Sequence, residues 1–329
     1  METLETKAYW VLSPGSGALQ AETVPARPAD GHSLVRAEWS AVSAGTERLV
    51  GLGRVSEKDD LLMACRYMEG SFALPVKYGY CLVGQAVEGS LAGQSVFVMH
   101  PHQELAHVRD EDVTVLPNEL PTRRGALIPN LETALNAVWD ADLQGAESCS
   151  VFGAGSVGLL IAYVLWRTTG EAPLLYDPDE ERRALAASLP WGARVSAPEA
   201  ARDNQVQVAF HTTGAPTGLQ AALDQLGFEG RVIDLSWYGE GQLSLDLGTH
   251  FHLGRKRLIA SQVGTVAVSR RTSHDFQARL REVLALLDEP ALERLLGDPI
   301  PFRELPDFMG KLYRGESKTP LPLIQYGAH

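Results

Sequence analysis

The sequence predicts an α/β protein that joins a β-rich lobe to a doubly wound parallel sheet. Three observations favour this fold class: short β-like runs broken by Gly and Pro up to about Pro117, alternating strand and helix patterns from Ser148 onward, and a final strand-like segment, KTPLPLIQY. With 329 residues, the chain exceeds the size at which one hydrophobic core usually stops growing. Two domains are therefore expected.

The first lobe is indicated by the segments SLVRAEWSAVS, QSVFVMH and AHVRDEDVTVLP, which have few long helical periods. The pattern of apolar residues changes at Thr122. There the segment TRRGALIPNLETALNAVWDADL begins with a Thr cap and repeats apolar residues at helical spacing through Trp139. This pattern predicts a connecting helix between the lobe and the parallel sheet.

The parallel sheet is indicated by predicted strands that alternate with predicted helices. The strand SVF runs into a glycine turn and an apolar helix that ends at Gly170, and similar units follow at APLLYDP, VQVAFHTTG, GRVIDLSWYG and RLIASQVG. Because the C-terminal strand needs a sheet to join, we expect it to return to the first lobe. The predicted domains are residues 1–130 with 265–329, and an inserted domain of residues 131–264.

Composition excludes several classes of protein. The chain has 29 Lys and Arg against 41 Asp and Glu, a net charge of −12, which argues against a surface that follows nucleic-acid phosphates. The N-terminal segment does not resemble a secretion signal, and the longest apolar run, near 157–166, is short for a membrane span. A cytoplasmic protein acting on a small molecule, with neither nucleic acid nor membrane as a partner, is therefore expected. The scattered Cys65, Cys81 and Cys149 predict reduced thiols.

The segment VFGAGSVG carries a G-x-G-x-x-G motif at Gly153, Gly155 and Gly158. A strand precedes it, a helix follows it, and Asp177 stands 19 residues beyond Gly158 at the end of the next strand. This context is typical of a Rossmann dinucleotide-binding unit. We therefore predict that the three glycines, with Ser156 and Val157 between them, bind the coenzyme.

The mechanics of the motif explain its residue types. Gly153 permits the tight turn, Gly155 lets the backbone approach a pyrophosphate, and Gly158 lets helix and strand pack closely. The charge of Asp177 favours the ribose hydroxyls of NAD(H) over a 2′-phosphate, whereas Arg182 and Arg183 keep NADP(H) as an alternative. The other interpretation is a glycine turn that binds no nucleotide, with Asp177 as a helix cap.

The VSAGTE turn at residues 42–47, the helix leading into VFGAGSVG and the returning strand resemble the medium-chain dehydrogenase/reductase superfamily across essentially the whole chain. The resemblance implies a GroES-like β-rich lobe, a Rossmann domain, a nicotinamide coenzyme and a homodimer. The segment SAVSAGTERLVGLG is also similar to the zinc-lacking branch that includes bacteriochlorophyllide hydroxyethyl dehydrogenases.

The positions that hold catalytic zinc ligands in other members of the superfamily carry Ala44, Tyr80 and Pro129 here, and the four-cysteine structural zinc loop is missing. Thiolate, imidazole or carboxylate donors are therefore absent where zinc would bind. The histidines of MHPHQELAH belong to a predicted strand–turn–strand in which His100 and His102 share a face and His107 is remote. We predict that no metal is bound.

Without a metal, side chains must polarise a substrate carbonyl. Tyr80 replaces a zinc ligand and Thr46 matches the family's relay hydroxyl, so Tyr80 is the predicted proton donor, Thr46 its relay, and His102 a second candidate acid or base. The alternative is that Thr46 bonds only its own turn and that Tyr80 is a packing ring.

Further candidates stand near the carboxyl ends of strands or at the start of the connecting helix. Those for the coenzyme are Thr133, Thr213 and Gly214, and those for the substrate pocket are Asn130, Glu132, Trp237 and Tyr238. The alternatives are that Asn130 and Glu132 cap and solvate the helix, and that Trp237 and Tyr238 are surface aromatics.

The sequence leaves three functions open. The leading hypothesis is a zinc-independent NAD(H)-dependent oxidoreductase that interconverts a secondary alcohol and a ketone on a medium-sized metabolite. The second is an enone or quinone reductase using NADPH, against which Asp177 argues. The third is a non-catalytic nucleotide sensor or structural protein that kept the fold.

Overall fold

The computed structural model describes residues 2–56, 58, 63–202 and 205–327. The chain divides into two compact units. Unit 1 comprises Met1–Pro129 and Leu296–His329, and unit 2 comprises Asn130–Leu295. Within the described ranges, no helix combines the length and apolar character needed to cross a membrane.

The strands follow the predicted runs along the chain. They are β1 (Thr3–Ser13), β2 (Ser16–Pro25), β3 (His32–Ala41), β4 (Glu69–Gly70), β5 (Val76–Lys77), β6 (Leu82–Gly89), β7 (Ser95–Val98), β8 (Leu105–Arg109), β9 (Val113–Val115), β10 (Cys149–Phe152), β11 (Leu174–Tyr176), β12 (Val195–Ser196), β13 (Val206–His211), β14 (Leu226–Asp234), β15 (Arg257–Ala260), β16 (Ile300–Pro301) and β17 (Leu323–Gln325).

The α-helices are α1 (Ala44–Gly51), α2 (Ile128–Ala141), α3 (Ser156–Thr169), α4 (Glu180–Ala187), α5 (Pro216–Gln225), α6 (His250–Leu253), α7 (Phe276–Leu286) and α8 (Leu305–Tyr313). Short 3₁₀ turns occupy Asp110–Asp112, Thr122–Leu127, Pro190–Gly192, Pro198–Ala200, Pro290–Leu295 and Phe302–Glu304.

The described residues of unit 1 form two sheets. One has the order β2-β1-β5-β4, and the larger has the order β16-β17-β3-β6-β7-β9, with β8 also paired to β3. The C-terminal strand β17 pairs antiparallel with β3, where Leu323 lies opposite Ala41. The prediction that this strand returns to the β-rich lobe is confirmed.

Unit 2 is built on one sheet of order β12-β11-β10-β13-β14-β15, in which all neighbours are parallel. All four residues of β10 are buried, as is typical of a central strand with helices on both faces. The strand order reverses at β10, because β11 and β12 lie on one side and β13 to β15 on the other. The predicted α/β fold with a doubly wound sheet is confirmed, and its switch point lies at the carboxyl end of β10.

Two details of the connecting segment differ from the sequence prediction. Thr122 is not a helix cap, since a 3₁₀ turn begins there after Pro121 with no side-chain cap bond. The α-helix α2 begins only at Ile128, with Pro129 in its first turn, where a missing N–H costs no helical hydrogen bond.

A further difference is the placement of residues 265–295, which the sequence prediction gave to the discontinuous lobe. The structure groups them with unit 2. The reason is α7, whose Arg279 is buried and hydrogen-bonds two residues of α2, Glu132 and Asn136. A helical pattern alone does not show which core its apolar face joins.

Candidate functional site

The glycine motif forms a tight turn between β10 and α3. Gly153 has a φ of +109°, a conformation that L side chains rarely adopt. A Cβ built on Gly158 would lie 1.8 Å from the carbonyl oxygen of Gly153, so helix and strand touch through backbone atoms. These two glycines are therefore required by the turn itself.

Gly155 is different, because the protein does not need it for packing. It caps the N-terminus of α3, and a Cβ built on it meets no atom within 4 Å. The open space lies where the backbone N–H groups of a helix start attract an anion, and only glycine leaves it clear. The turn therefore fits the pyrophosphate of a dinucleotide.

Asp177 directly follows β11, beside the glycine turn. Its side chain is buried, Oδ2 accepts a 2.8 Å hydrogen bond from the N–H of Ala154, and Oδ1 accepts one of 2.8 Å from the N–H of Asp179. Asp179, not Asp177, is the N-cap of α4. The alternative that Asp177 is a helix cap is therefore wrong, since its carboxylate is anchored to the glycine turn.

The two arginines after Asp177 have different environments. Arg183 donates to the carbonyl oxygens of Asp177 and Pro178, at 2.9 and 2.7 Å. Arg182 Nη1 lies 3.9 Å from Asp177 Oδ2, and its side chain is 36% exposed. The Arg183 guanidinium is therefore engaged by backbone carbonyl oxygens, whereas Arg182 is the cation nearer to the Asp177 carboxylate.

Asn130 and Thr133 lie in the first half of α2. Asn130 is buried, and its Nδ2 donates a 3.0 Å hydrogen bond to Ser156 Oγ at the start of α3. Asn130 thus supports the glycine motif rather than facing open space. Thr133 is half-buried on the same helix.

Glu132, predicted for the substrate pocket, lies in the interior of unit 2. Its Oε1 accepts a 3.1 Å hydrogen bond from Arg279 Nε, and the two side chains are only 10% and 3% exposed. Burial raises the pKa of Glu132 above its usual value, although Arg279 lowers it. Both the pocket assignment and the alternative of a solvated residue are wrong, because this carboxylate ties α2 to α7.

Removing one partner of that pair is expected to destabilise the protein strongly. We expect the Arg279→Met variant to lose about 3–5 kcal/mol of unfolding free energy, because it leaves a buried carboxylate unpaired. Urea denaturation measures the loss. The double variant Arg279→Met with Glu132→Gln is the control: if it is no more stable than the single variant, the ion pair does not explain the loss.

The remaining unit 2 candidates follow two neighbouring strands. Thr213 and Gly214 come after β13, and Trp237 and Tyr238 come after β14. Tyr238 is half-buried, and its phenol donates to Asp234 at 3.0 Å, so it is not a loose surface aromatic.

In unit 1, Tyr80 lies between β5 and β6. The hydroxyls of Ser43 and Thr46 lie close enough to its phenol to affect the pKa of Tyr80. Burial first, and then the charge of Glu47, raise the pKa of Tyr80 above its ordinary value, although the two hydroxyls lower it. The phenol therefore keeps its proton near neutral pH, as a proton donor must. The predicted partners Tyr80 and Thr46 are in contact, and their catalytic use stays a prediction.

His102 belongs to a buried network behind these hydroxyls. Its Nδ1 lies 2.7 Å from Ser40 Oγ and its Nε2 lies 3.0 Å from Glu47 Oε2. Ser40 also contacts the Tyr326 hydroxyl, and Glu47 Oε1 accepts the N–H of Ser43 at 2.8 Å. Because His102 is 0% exposed and both nitrogens are engaged, it does not reach a substrate. It positions Glu47 instead of acting as the predicted acid or base.

The other histidines of the MHPHQELAH segment are separated, as the predicted strand–turn–strand requires. His100 Nδ1 contacts the carbonyl oxygen of Pro101, and burial lowers the pKa of His100 to about 4. His107 lies on β8 and stacks on His32, with 4.9 Å between ring centroids. In the part of the chain that the structure describes, no group of three or more His, Cys, Asp or Glu could hold a metal.

The positions that the resemblance equates with zinc ligands have no suitable donors. Ala44 begins α1 and Pro129 lies in α2, and neither has a side-chain donor. The Tyr80 phenol keeps its proton. A zinc site of that type does not fit the residues present.

No family model matches the chain. Several curated proteins are similar to it in sequence, including one from Bacillus subtilis and one from Haemophilus influenzae. The (R,R)-butanediol dehydrogenase of Bacillus subtilis is 26% identical over 48% of this chain and 56% of its own length. A zinc-type alcohol dehydrogenase-like protein of Haemophilus influenzae is 25% identical over 70% of this chain and 63% of its own length. The matches thus span between half and two thirds of these relatives.

Solved structures match nearly the whole chain. The 2R,3R-butanediol dehydrogenase of Bacillus subtilis covers 97% of this chain and 99% of its own, with a TM-score of 0.75 and 19% identity. This chain has the fold of a medium-chain dehydrogenase/reductase. A dehydrogenase structure from Sinorhizobium meliloti, solved with NADP, is 17% identical, with a TM-score of 0.76. An alcohol dehydrogenase structure from Escherichia coli, solved with NADH, is 12% identical, with a TM-score of 0.72. Each match covers 98% of this chain and 99% of the other.

The predicted resemblance to the medium-chain dehydrogenase/reductase superfamily is confirmed, since these relatives and neighbours are dehydrogenases of this type. The finer similarity to the zinc-lacking branch stays a prediction. Sequence reasoning missed several polar residues at the ends of these elements, among them Ser43 and Glu47, and also His211 and Asp234, which end β13 and β14. The signal for the last two was a polar residue at the carboxyl end of a predicted strand.

Proposed function

We propose that this chain is a zinc-independent, NAD(H)-dependent oxidoreductase that interconverts a secondary alcohol and a ketone on a medium-sized metabolite. The observation that carries the proposal is the glycine turn of unit 2, where the space at Gly155 is open at the start of α3. The similarity to a butanediol dehydrogenase supports the class of reaction.

Asp177 supports the choice of NAD(H). Its buried carboxylate is fixed beside the turn by the N–H of Ala154, where its charge would oppose a 2′-phosphate. The partly exposed Arg182 is the feature that would favour NADP(H). We infer that the anchored negative charge is the stronger influence.

The proposed coenzyme-binding residues belong to unit 2, and the proposed proton-donating residues belong to unit 1. A nicotinamide coenzyme supplies hydride transfer when bound. The three glycines, Asp177 and the N-terminus of α3 would hold it. Tyr80 would hold a proton for the substrate oxygen, and Thr46 would exchange that proton with it. Hydrogen bonding by these hydroxyls would take the place of a Lewis acid.

The test is a titration of the purified protein with NADH and NADPH, followed by nicotinamide fluorescence, with metal analysis of the same sample. We expect NADH to bind more tightly and zinc to be substoichiometric. Panels of ketones, secondary alcohols and enones then separate the functions. Turnover of enones with NADPH favours the reductase alternative, and binding without any turnover favours a sensor.

Neutralising Asp177 is expected to relax coenzyme selection. In the Asp177→Asn variant, we expect the ratio of NADPH affinity to NADH affinity to rise roughly tenfold or more, because a close carboxylate opposes the 2′-phosphate. Glu181→Gln, on the first turn of α4, removes one nearby exposed charge and serves as the control. An equal change of the affinity ratio in both variants would mean that Asp177 does not bind the ribose of the coenzyme.

A further inference from the structure

The carboxyl ends of β13 and β14 carry a polar cluster beyond the glycine turn. His211 is the last residue of β13, Asp234 is the last of β14, and the two are paired in register. His211 Nδ1 lies 2.9 Å from Asp234 Oδ1, and the imidazole is 0% exposed. With the imidazole buried and the carboxylate partly buried, the pair is held in place, since breaking it would leave a buried polar group without a partner.

Each member of this pair holds the segment that follows a strand. His211 Nε2 lies 2.7 Å from Thr213 Oγ1. Asp234 Oδ1 accepts the N–H of Ser236 at 3.0 Å, and its Oδ2 accepts the phenol of Tyr238 at 3.0 Å. The pair therefore fixes both the segment after β13 and the segment after β14.

The two segments are also joined directly. The N–H of Gly214 donates to Ser236 Oγ at 3.0 Å. Burial, followed by the charge of Asp234, raises the pKa of Tyr238 above its ordinary value, so the phenol remains a donor to Asp234 at neutral pH. The segments 213–214 and 236–238 thus form one hydrogen-bonded wall.

The strand order places this wall on one side of the glycine turn. The turn follows β10, Asp177 follows β11 on one side, and His211 and Asp234 end the strands on the other side. A dinucleotide lies across the switch point of such a sheet. If the adenosine half lies toward Asp177, the nicotinamide half lies over the ends of β13 and β14.

We propose that His211 and Asp234 are positioning residues for the nicotinamide half of the coenzyme, acting through the wall formed by residues 213–214 and 236–238. The proposal rests on the dinucleotide site of the proposed function. His211 has no exposed surface and does not touch the coenzyme. Its effect is to hold Thr213 and, through Asp234, Ser236 and Tyr238.

The test compares two ligands in three variants. Tyr238→Phe removes one hydrogen bond to Asp234 and keeps the ring, whereas His211→Leu removes both imidazole nitrogens. We expect the Kd for NADH to rise about tenfold in each, because a hydrogen bond to a charged group is lost. The Kd for ADP, which has no nicotinamide, is expected to stay within about twofold. His252→Gln, an exposed histidine on α6, is the control and changes neither Kd.

A purely structural role would give a different result. It would lower the melting temperature while changing the Kd for both ligands, or for neither, and either pattern overturns the proposal. If His211→Leu does not fold, Tyr238→Phe decides the test alone. Wild-type protein that binds neither ADP nor NADH contradicts the dinucleotide site itself, whereas wild-type binding that Tyr238→Phe leaves unchanged contradicts only the role of the wall.

Discussion

Replacing Gly155 by alanine is expected to weaken NADH binding at least about 100-fold and to leave the melting temperature essentially unchanged. In the free protein the added Cβ meets no atom within 4 Å, and Gly155 has an ordinary φ of −77° that alanine adopts without strain. The same methyl group would occupy the space in which the pyrophosphate approaches the start of α3. Nicotinamide fluorescence and thermal unfolding measure the two effects.

Gly158→Ala is the matched control within the same motif. Its Cβ would lie 1.8 Å from the Gly153 carbonyl oxygen, so we expect this variant to lose stability and binding together. Of the two variants, only Gly155→Ala distinguishes a loss of ligand binding from a loss of stability. If Gly155→Ala binds NADH like the wild type, the pyrophosphate does not lie at this turn, and the proposed function loses its main support.

Replacing Tyr80 by phenylalanine is expected to lower kcat by about 10²- to 10⁴-fold, the usual contribution of a positioned proton donor. The Kd for NADH is expected to stay the same, because Tyr80 is not part of the glycine turn. Since burial raises the pKa of Tyr80 above its ordinary value, the phenol stays protonated as the pH rises through 8 and 9. Carbonyl reduction should therefore show no loss from phenol ionisation in that range.

Variants of Thr46 test the relay without removing the donor. Thr46→Ser keeps a hydroxyl for Tyr80, whereas Thr46→Val keeps the shape and removes it. We expect Thr46→Ser to retain most of the activity and Thr46→Val to lose at least about tenfold in kcat. Full turnover by Tyr80→Phe would show that the ring only packs, and the proton donor would have to be sought elsewhere.

The parts of the molecule that could be predicted from the sequence are those with a local pattern. The spacing of Gly153, Gly155 and Gly158 within one strand–turn–helix identifies the turn, and its geometry agrees with that interpretation. Asp177 could be singled out because it stands at the separation from the glycines that is typical of the motif. Strand runs were similarly visible, because buried parallel strands are short and apolar.

The parts that failed depend on partners far away in the chain. Glu132 looked like a polar residue at a helix start, and only Arg279, 147 positions later, shows that it is an interior ion pair. His102 looked available for catalysis until Glu47, 55 positions away, occupied its second nitrogen. Alternation and spacing indicate which face of an element is apolar, but they do not identify which distant side chain covers a polar group.

The discontinuity of unit 1 has a consequence for the newly made chain. The end of strand β3, residues 39–41, must wait for β17, because the sequence of unit 2 separates Ala41 from its partner Leu323. At about 5–20 residues per second on the ribosome, the delay is roughly 15–55 s. Unit 2, which is continuous in sequence, is fully synthesised before that partner emerges. During synthesis, unit 2 is therefore able to fold first, while residues 39–41 of β3 still lack their partner strand β17.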